Sequence, residues 1–171
     1  MKHNLWLLAI VPLALYGCAP EPDTEDEVAE KDMRAMDKGP DEHVVWKPDE
    51  IEWEDGPASL EEGAQYAMLE GDMTESGVFT LRLKFPDGFH IAPHTHPNVE
   101  RVTVISGTFL LGAGDEADKD EAMELETGSY TSMAPGMEHY AYAEGETVIQ
   151  ITTIGPWEID YLDPDDDPRK D

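Results

Sequence analysis

The sequence predicts an all-β fold in a single domain, of the sandwich or barrel type. Short segments rich in alternating or β-branched apolar residues recur between turns that contain glycine and proline. Only the polar stretch 115–125 has a pattern compatible with a helix of useful length. A chain of 171 residues holds one domain. Its two polar ends leave about 120 residues for the β fold.

The predicted strands follow one another between turn signals. Residues 78–85 (VFTLRLKF) alternate, so Arg82 and Lys84 face outward and the apolar residues face the core: Phe79, Leu81, Leu83 and Phe85. The turn PDG ends this strand. The other predicted strands are residues 43–46, 64–69, 101–106, 108–114, 129–134, 139–143 and 147–154.

Both ends of the chain differ in composition from this domain. Residues 1–17 contain Lys2 and an apolar run, 5–15, that is too short to span a bilayer and fits a signal peptide. Residues 18–42 are acidic and proline-rich, which predicts a flexible tether. The β domain is expected at 43–162, followed by an acidic tail at 163–171.

The sole cysteine, Cys18, directly follows the apolar run, in the sequence LYGCA. This resembles the lipobox of bacterial lipoproteins, although Tyr16 stands where a small residue is usual. The resemblance implies lipidation at Cys18, export and a membrane anchor, and Ala19 is similar to the residue of lipoproteins sent to an outer membrane. The alternative is a free or buried thiol. A lone cysteine excludes an intramolecular disulfide.

The formal net charge of −28 restricts the partners. Nucleic acid is excluded, because phosphate backbones require a basic surface, and docking on anionic lipid is disfavoured for the same reason. The acidity is explained by solubility, or by a surface that attracts cations and repels anionic ligands.

A cluster of metal-ligand residue types lies between two apolar runs. His94 and His96 share one face if their segment is extended, as expected between Pro93 and Pro97. Glu100 begins an inward row on the next strand. Further along the chain, His139 begins a strand whose small residues, Ala141 and Ala143, leave space beside it.

Three imidazoles and a carboxylate form a ligand set for a divalent transition metal. Mixed nitrogen and oxygen donors suit iron or manganese, with zinc and nickel as alternatives. The absence of thiolate ligands argues against a closed structural zinc site.

The same residues resemble the first conserved motif of the cupin superfamily, G-x5-H-x-H-x3-E-x6-G, which is matched in full by Gly88, His94, His96, Glu100 and Gly107. The second cupin motif is matched in part, at Gly128, Gly136 and His139. Ala134 stands where that motif has proline, and Ala143 replaces its asparagine. The resemblance implies a cupin-type double-stranded β-helix, a jelly-roll barrel. It also implies that His94, His96, Glu100 and His139 bind a metal, and that the protein is a homodimer.

Structural alternatives remain open for each residue. His94 and His96 could be surface histidines, Glu100 could pair with Arg101 or Arg82, and His139 could be a core histidine. His90 is off the motif and is expected in a loop. Four other residues could line the pocket but are not assigned to the site: Gln150, Tyr130, Tyr140 and Tyr142.

The resemblance to small cupin dioxygenases implies an exported, metal-dependent oxidoreductase that acts on a small organic molecule. Glu100 would be a ligand or a catalytic base. A metal-dependent isomerase or lyase, or a surface protein that binds a metal or small ligand without catalysis, are the alternatives. An apolar pocket would favour an oxygenase, whereas added arginine or lysine would favour organic acids.

Overall fold

The structure is a computed structural model, and it describes residues 43–170. Its strands are β1 (Glu54–Asp55), β2 (Gln65–Glu70), β3 (Gly77–Phe85), β4 (His90–Thr95), β5 (Glu100–Ala113), β6 (Met123–Glu126), β7 (Tyr130–Met133), β8 (His139–Gly155) and β9 (Asp160–Tyr161). Single 3-10 turns occur at Pro48–Glu50, Pro164–Asp166 and Pro168–Lys170. The all-β jelly-roll class predicted from the sequence is confirmed.

Two long strands, β5 and β8, organise the sheet and run antiparallel along their whole length. The second half of β8 also pairs with β3, and its first half pairs with β4. The pairing of β5 with β8 shifts in register around Gly107, which has a φ of 78°. A Cβ at Gly107 would lie 2.5 Å from the Glu146 carbonyl oxygen. Glycine at this position therefore lets both strands bend together into two layers.

The core lies between those layers. The predicted inward row of β3 is fully buried, and the row from Glu100 through Val102 and Val104 is buried on β5. Each large apolar side chain buried in this way contributes about 1.5–3 kcal/mol relative to its exposed state. Phe85 stacks on Phe89 with ring centroids 4.8 Å apart. The end of the core nearest β4 is the end that contains histidines.

The structure corrects three predictions. The strands do not close into a barrel within residues 43–170, because the outer strands have only two to four residues. Residues 43–46 are exposed and are not a strand. Residues 115–125 form no helix: turns and irregular structure extend to residue 122, and residues 123–125 belong to β6.

Two pairs of predicted strands are in fact single strands. Residues 101–106 and 108–114 are continuous in β5, apart from Gly114, and residues 139–143 and 147–154 are continuous in β8. At the C-terminal end, Arg169 donates a hydrogen bond to the Ile159 carbonyl over 2.9 Å. Among the described residues, no helix has the length and apolar character needed to cross a membrane.

Candidate metal centre

Strand register brings two of the predicted ligands together. His94 on β4 is paired with His139, the first residue of β8. The pairing of β4 with β8 shifts between Ile91 and His94, where one extra residue on β4 forms a bulge. Pro93 lies in this bulge, where its missing N–H costs the ladder nothing. In a regular strand His94, three residues after Ile91, would lie on the opposite face. The bulge turns it inward.

His96 and Glu100 reach the same place from the connection between β4 and β5. His96 follows the last residue of β4, and Glu100 is the first residue of β5. All four side chains are buried, and their exposed fractions lie between 3% and 5%. The alternatives of surface histidines and a rim carboxylate are therefore wrong. Glu100 contacts histidines rather than Arg101 or Arg82.

Backbone carbonyls hold each imidazole by the same ring nitrogen. The Nδ1 of His94 lies 2.7 Å from the Ala92 oxygen, and that of His96 lies 2.6 Å from the Glu158 oxygen. The Nδ1 of His139 lies 2.9 Å from the Met137 oxygen. A carbonyl oxygen can only accept, so each Nδ1 carries the proton and each neutral ring keeps its Nε2 lone pair for a metal.

The spacing of the donor atoms fits a shared ion. One ligand atom from each of His94, His96 and His139 lies within 4.8 Å of the others. An oxygen of Glu100 lies 3.4 Å from His96 Nε2 and 3.5 Å from His139 Nε2. Ligands bound at about 2.0–2.2 Å to one ion lie roughly 3.0–3.4 Å apart. Small shifts of the imidazoles would therefore bring all four donors onto one ion.

The site also has the electrostatics of a ligand set. Burial, with the charges of the two neighbouring imidazoles, lowers the pKa of His94 to about 3. Burial alone would raise the pKa of Glu100, but His96 and His139 outweigh it and hold that pKa well below its usual range. Burial would lower the pKa of His96, but Glu100 and the Glu158 carbonyl outweigh it and raise that pKa. One carboxylate thus balances the positive charge of a proton or a metal.

A cavity of about 20 Å³ lies against these four side chains. That volume accommodates about one water molecule. Its remaining lining is apolar and contains no arginine or lysine. Trp157 also lines it, stacked on His96 with ring centroids 5.7 Å apart. Among the described residues, the buried Nε1 of Trp157 has no hydrogen-bond partner, as expected of a donor beside a site for an exogenous group.

The other candidates lie away from this cavity. His90 begins β4, not a loop, and stacks on Tyr142 with ring centroids 4.4 Å apart. Gln150 accepts a hydrogen bond from Arg82 Nε over 3.2 Å. Tyr130 is exposed, and Tyr140 donates to the Asp118 carbonyl. Cys18 lies outside the described residues.

Two aromatic neighbours of the site were missed from the sequence. Trp157 lies in the connection between β8 and β9, where no periodic pattern of the sequence places it. Tyr161 pairs with His94 and donates from its hydroxyl to the Ser59 carbonyl over 2.8 Å. Burial, with nearby acidic residues, raises the pKa of Tyr161 to about 12.

Comparison with solved structures identifies the fold as the cupin jelly roll. An RmlC-like cupin from Shewanella frigidimarina NCIMB 400 is 18% identical, with a TM-score of 0.51, over 66% of this chain and 90% of that one. The polyketide cyclase RemF from Streptomyces resistomycificus is 12% identical, with a TM-score of 0.60, over 75% and 92%. A putative acetylacetone dioxygenase from Methylibium petroleiphilum PM1 is 18% identical, with a TM-score of 0.58, over 77% and 88%.

Sequence comparison gives one family. A family model described as "Domain of unknown function (DUF4437)" matches residues 20–160. No curated protein matches the sequence.

Proposed function

We propose that this chain, which belongs to the DUF4437 family, binds one divalent transition metal and uses it to oxidise a small organic molecule. The observation that carries the proposal is the convergence of three buried imidazoles and one buried carboxylate on a single cavity. The backbone holds each Nδ1, which leaves each Nε2 as the ring nitrogen available to a metal. Iron or manganese suits this donor set best, with zinc and nickel as alternatives.

A metal held by His94, His96, His139 and Glu100 would supply a Lewis acid and a redox centre for dioxygen. The side chains have supporting roles. Glu100 is ionised and either stays a ligand or accepts a proton from the substrate at its free oxygen. The Nε1–H of Trp157 donates to an acceptor oxygen of a bound molecule. The apolar lining excludes water from the reaction.

The lining of the cavity favours oxidation over the alternatives. An isomerase or lyase of organic acids needs cationic groups to hold carboxylates, and the lining offers none. A dioxygenase needs no such anchor. It also needs no separate reductant, because both oxygen atoms enter the product and the substrate supplies the electrons. One protein with this fold is described as an acetylacetone dioxygenase and another as a putative one, which is consistent with the proposal.

A metal-binding protein without catalysis is the second candidate. The cavity of about 20 Å³ favours it, since there is space beside the ligands for little more than a water. The two candidates share the ligand set and differ in whether oxygen is consumed.

Oxygen uptake by the iron-loaded, full-length protein separates them. Acetylacetone is the first probe, because it is small and carries no carboxylate. We expect uptake in the wild type and at least a 100-fold lower rate in Glu100→Gln, with a His90→Gln variant as the matched control. Metal bound at one equivalent without uptake on any of a panel of neutral ketones would favour the binding protein.

We further propose that the chain is an exported lipoprotein anchored through a lipid on Cys18. Mass spectrometry of the protein from membranes tests this. Cys18→Ser should retain residues 1–17 and carry no acyl mass, whereas normal maturation of that variant would refute lipidation. A homodimer stays a prediction, which sedimentation of the purified protein checks.

A further inference from the structure

An uncharged groove lies beside the metal centre. It has a volume of about 250 Å³ and lies between the end of β5, strands β6 and β7, and the start of β8. We call it the methionine groove, and its lining includes Met123, Leu125, Tyr130, Met133, Met137 and His139. Three of these side chains are well exposed, Met123 at 68%, Tyr130 at 61% and Met137 at 42%. Large apolar side chains that are solvent-exposed on one concave surface are typical of a binding site.

The groove shares a wall with the cavity beside the ligand set. Leu111, Met133 and His139 line both the groove and the cavity beside the four ligands. Met133 is the strand partner of Glu100 on β5 and is itself buried. His139 therefore forms part of the groove wall, and its imidazole also contacts the other ligands. A molecule in the groove would reach the site past Met133.

Size places an organic substrate in the groove. The inner cavity of about 20 Å³ holds an ion or a water but no organic molecule. A cavity of about 150 Å³ is enough for benzene, so a groove of 250 Å³ accommodates one substituted ring. Only the reactive end of such a molecule needs to enter the inner cavity.

Charge and side-chain type define what the groove would bind. No arginine, lysine, aspartate or glutamate lines it, and its polar side chains are His139, which it shares with the ligand set, and the hydroxyl residues Tyr130, Thr131 and Ser132. Burying a carboxylate there would leave it unpaired, which is costly. The net charge of −28 also repels anions. Methionine side chains, in contrast, adapt to flat apolar and aromatic surfaces.

We propose that the methionine groove binds an uncharged, one-ring or similarly sized apolar substrate and delivers it past Met133 to the metal. The inference deepens the proposed function and rests on it for the identity of the groove as a substrate site. A second copy of this chain is the other occupant that the test distinguishes.

The test uses the full-length, zinc-loaded protein labelled with ¹³C at its methionine methyl groups. Acetophenone and benzoate serve as probes because they have nearly the same shape and differ in charge. We expect acetophenone to shift the signals of Met123, Met133 and Met137, and benzoate to bind at least tenfold more weakly. Met123→Glu should weaken acetophenone binding at least tenfold. Val45→Glu, which adds the same charge at an exposed apolar residue that does not line the groove, should not.

The outcomes separate the two proposals. If zinc does not bind, the metal function fails, while acetophenone shifts at the groove methionines would still support the groove. If zinc binds at one equivalent and acetophenone leaves those signals unchanged, or benzoate binds equally well, the groove proposal is overturned. Shifts that depend on protein concentration without any probe would identify the groove as a contact between copies and would also overturn it.

Discussion

The buried, neutral state of His94 predicts a specific loss of stability in mild acid. In the metal-free protein the pKa of His94 is about 3, compared with 6.5 for the ordinary side chain. The unfolded chain therefore takes up a proton below pH 6.5 that the folded chain does not. Because the unfolded state binds more protons, the free energy of unfolding falls as the pH falls. The effect runs from about pH 6.5 down to pH 3.

Its magnitude follows from the two pKa values. Between pH 7.5 and pH 5.0, protonation of the unfolded His94 lowers the free energy of unfolding by about 2 kcal/mol. This change depends on the pKa of His94 in the unfolded chain, and it is the same for any pKa well below 5 in the folded protein. His96 acts in the opposite direction, because its folded pKa is raised. A comparison between two variants that share His96 removes that contribution.

The assay is urea unfolding of the metal-free, full-length protein at pH 7.5 and pH 5.0, for the wild type and His94→Gln. We expect the wild type to lose about 2 kcal/mol more than the variant between these two pH values. His90→Gln, which changes a histidine on the same strand outside the site, should keep most of the wild-type loss. An equal loss in the wild type and His94→Gln would refute the buried, neutral state of His94.

The remaining predictions concern the packing of Gly112, the pH dependence of metal affinity and the closeness of Trp157 to the metal. A Cβ at Gly112 would overlap the Tyr140 ring. Gly112→Ala should therefore lower the free energy of unfolding, measured in urea, by about 1–3 kcal/mol. The same substitution should have no such effect in a Tyr140→Ala background. Because the pKa of His96 is raised, a metal that binds below that pKa displaces a proton from its imidazole. Metal affinity, measured by chelator competition, should therefore fall about tenfold per pH unit below that pKa. A constant affinity between pH 5 and pH 8 would contradict this. Because Trp157 stacks on His96, Co(II) should quench its fluorescence, and quenching of equal size in Trp157→Phe would rule out the stacked position.

Alternation and spacing were sufficient to predict most of the strand segments and the shared face of His94 and His96. The inward rows of β3 and β5 follow from their period of two, and the histidine and glutamate spacing points to one site. These signals are local, so they can be used without knowledge of the strand pairing. Glu100 and His139 are far apart in sequence. They were assigned to one site because alternation places each on the inward face of its strand and because both match the cupin motifs.

The features that were missed depend on contacts between distant segments. The bulge at Pro93 changes which face His94 occupies, and only pairing with β8 reveals it. The continuity of β5 and β8 depends on how Gly107 meets Glu146. Residues 43–46 have strand composition but no partner strand among the described residues, so composition misled there. The methionine groove combines residues from β6, β7 and the loop before β8, which share no sequence pattern.

We propose that one metal is held by His94, His96, His139 and Glu100. The most direct test is elemental analysis of the full-length protein purified without chelator, compared with His94→Ala/His96→Ala and with His90→Ala. We expect about one equivalent of iron or manganese in the wild type and in His90→Ala, and almost none in the double variant. No transition metal in the wild type, even after reconstitution, or an equal amount in the double variant, would contradict it.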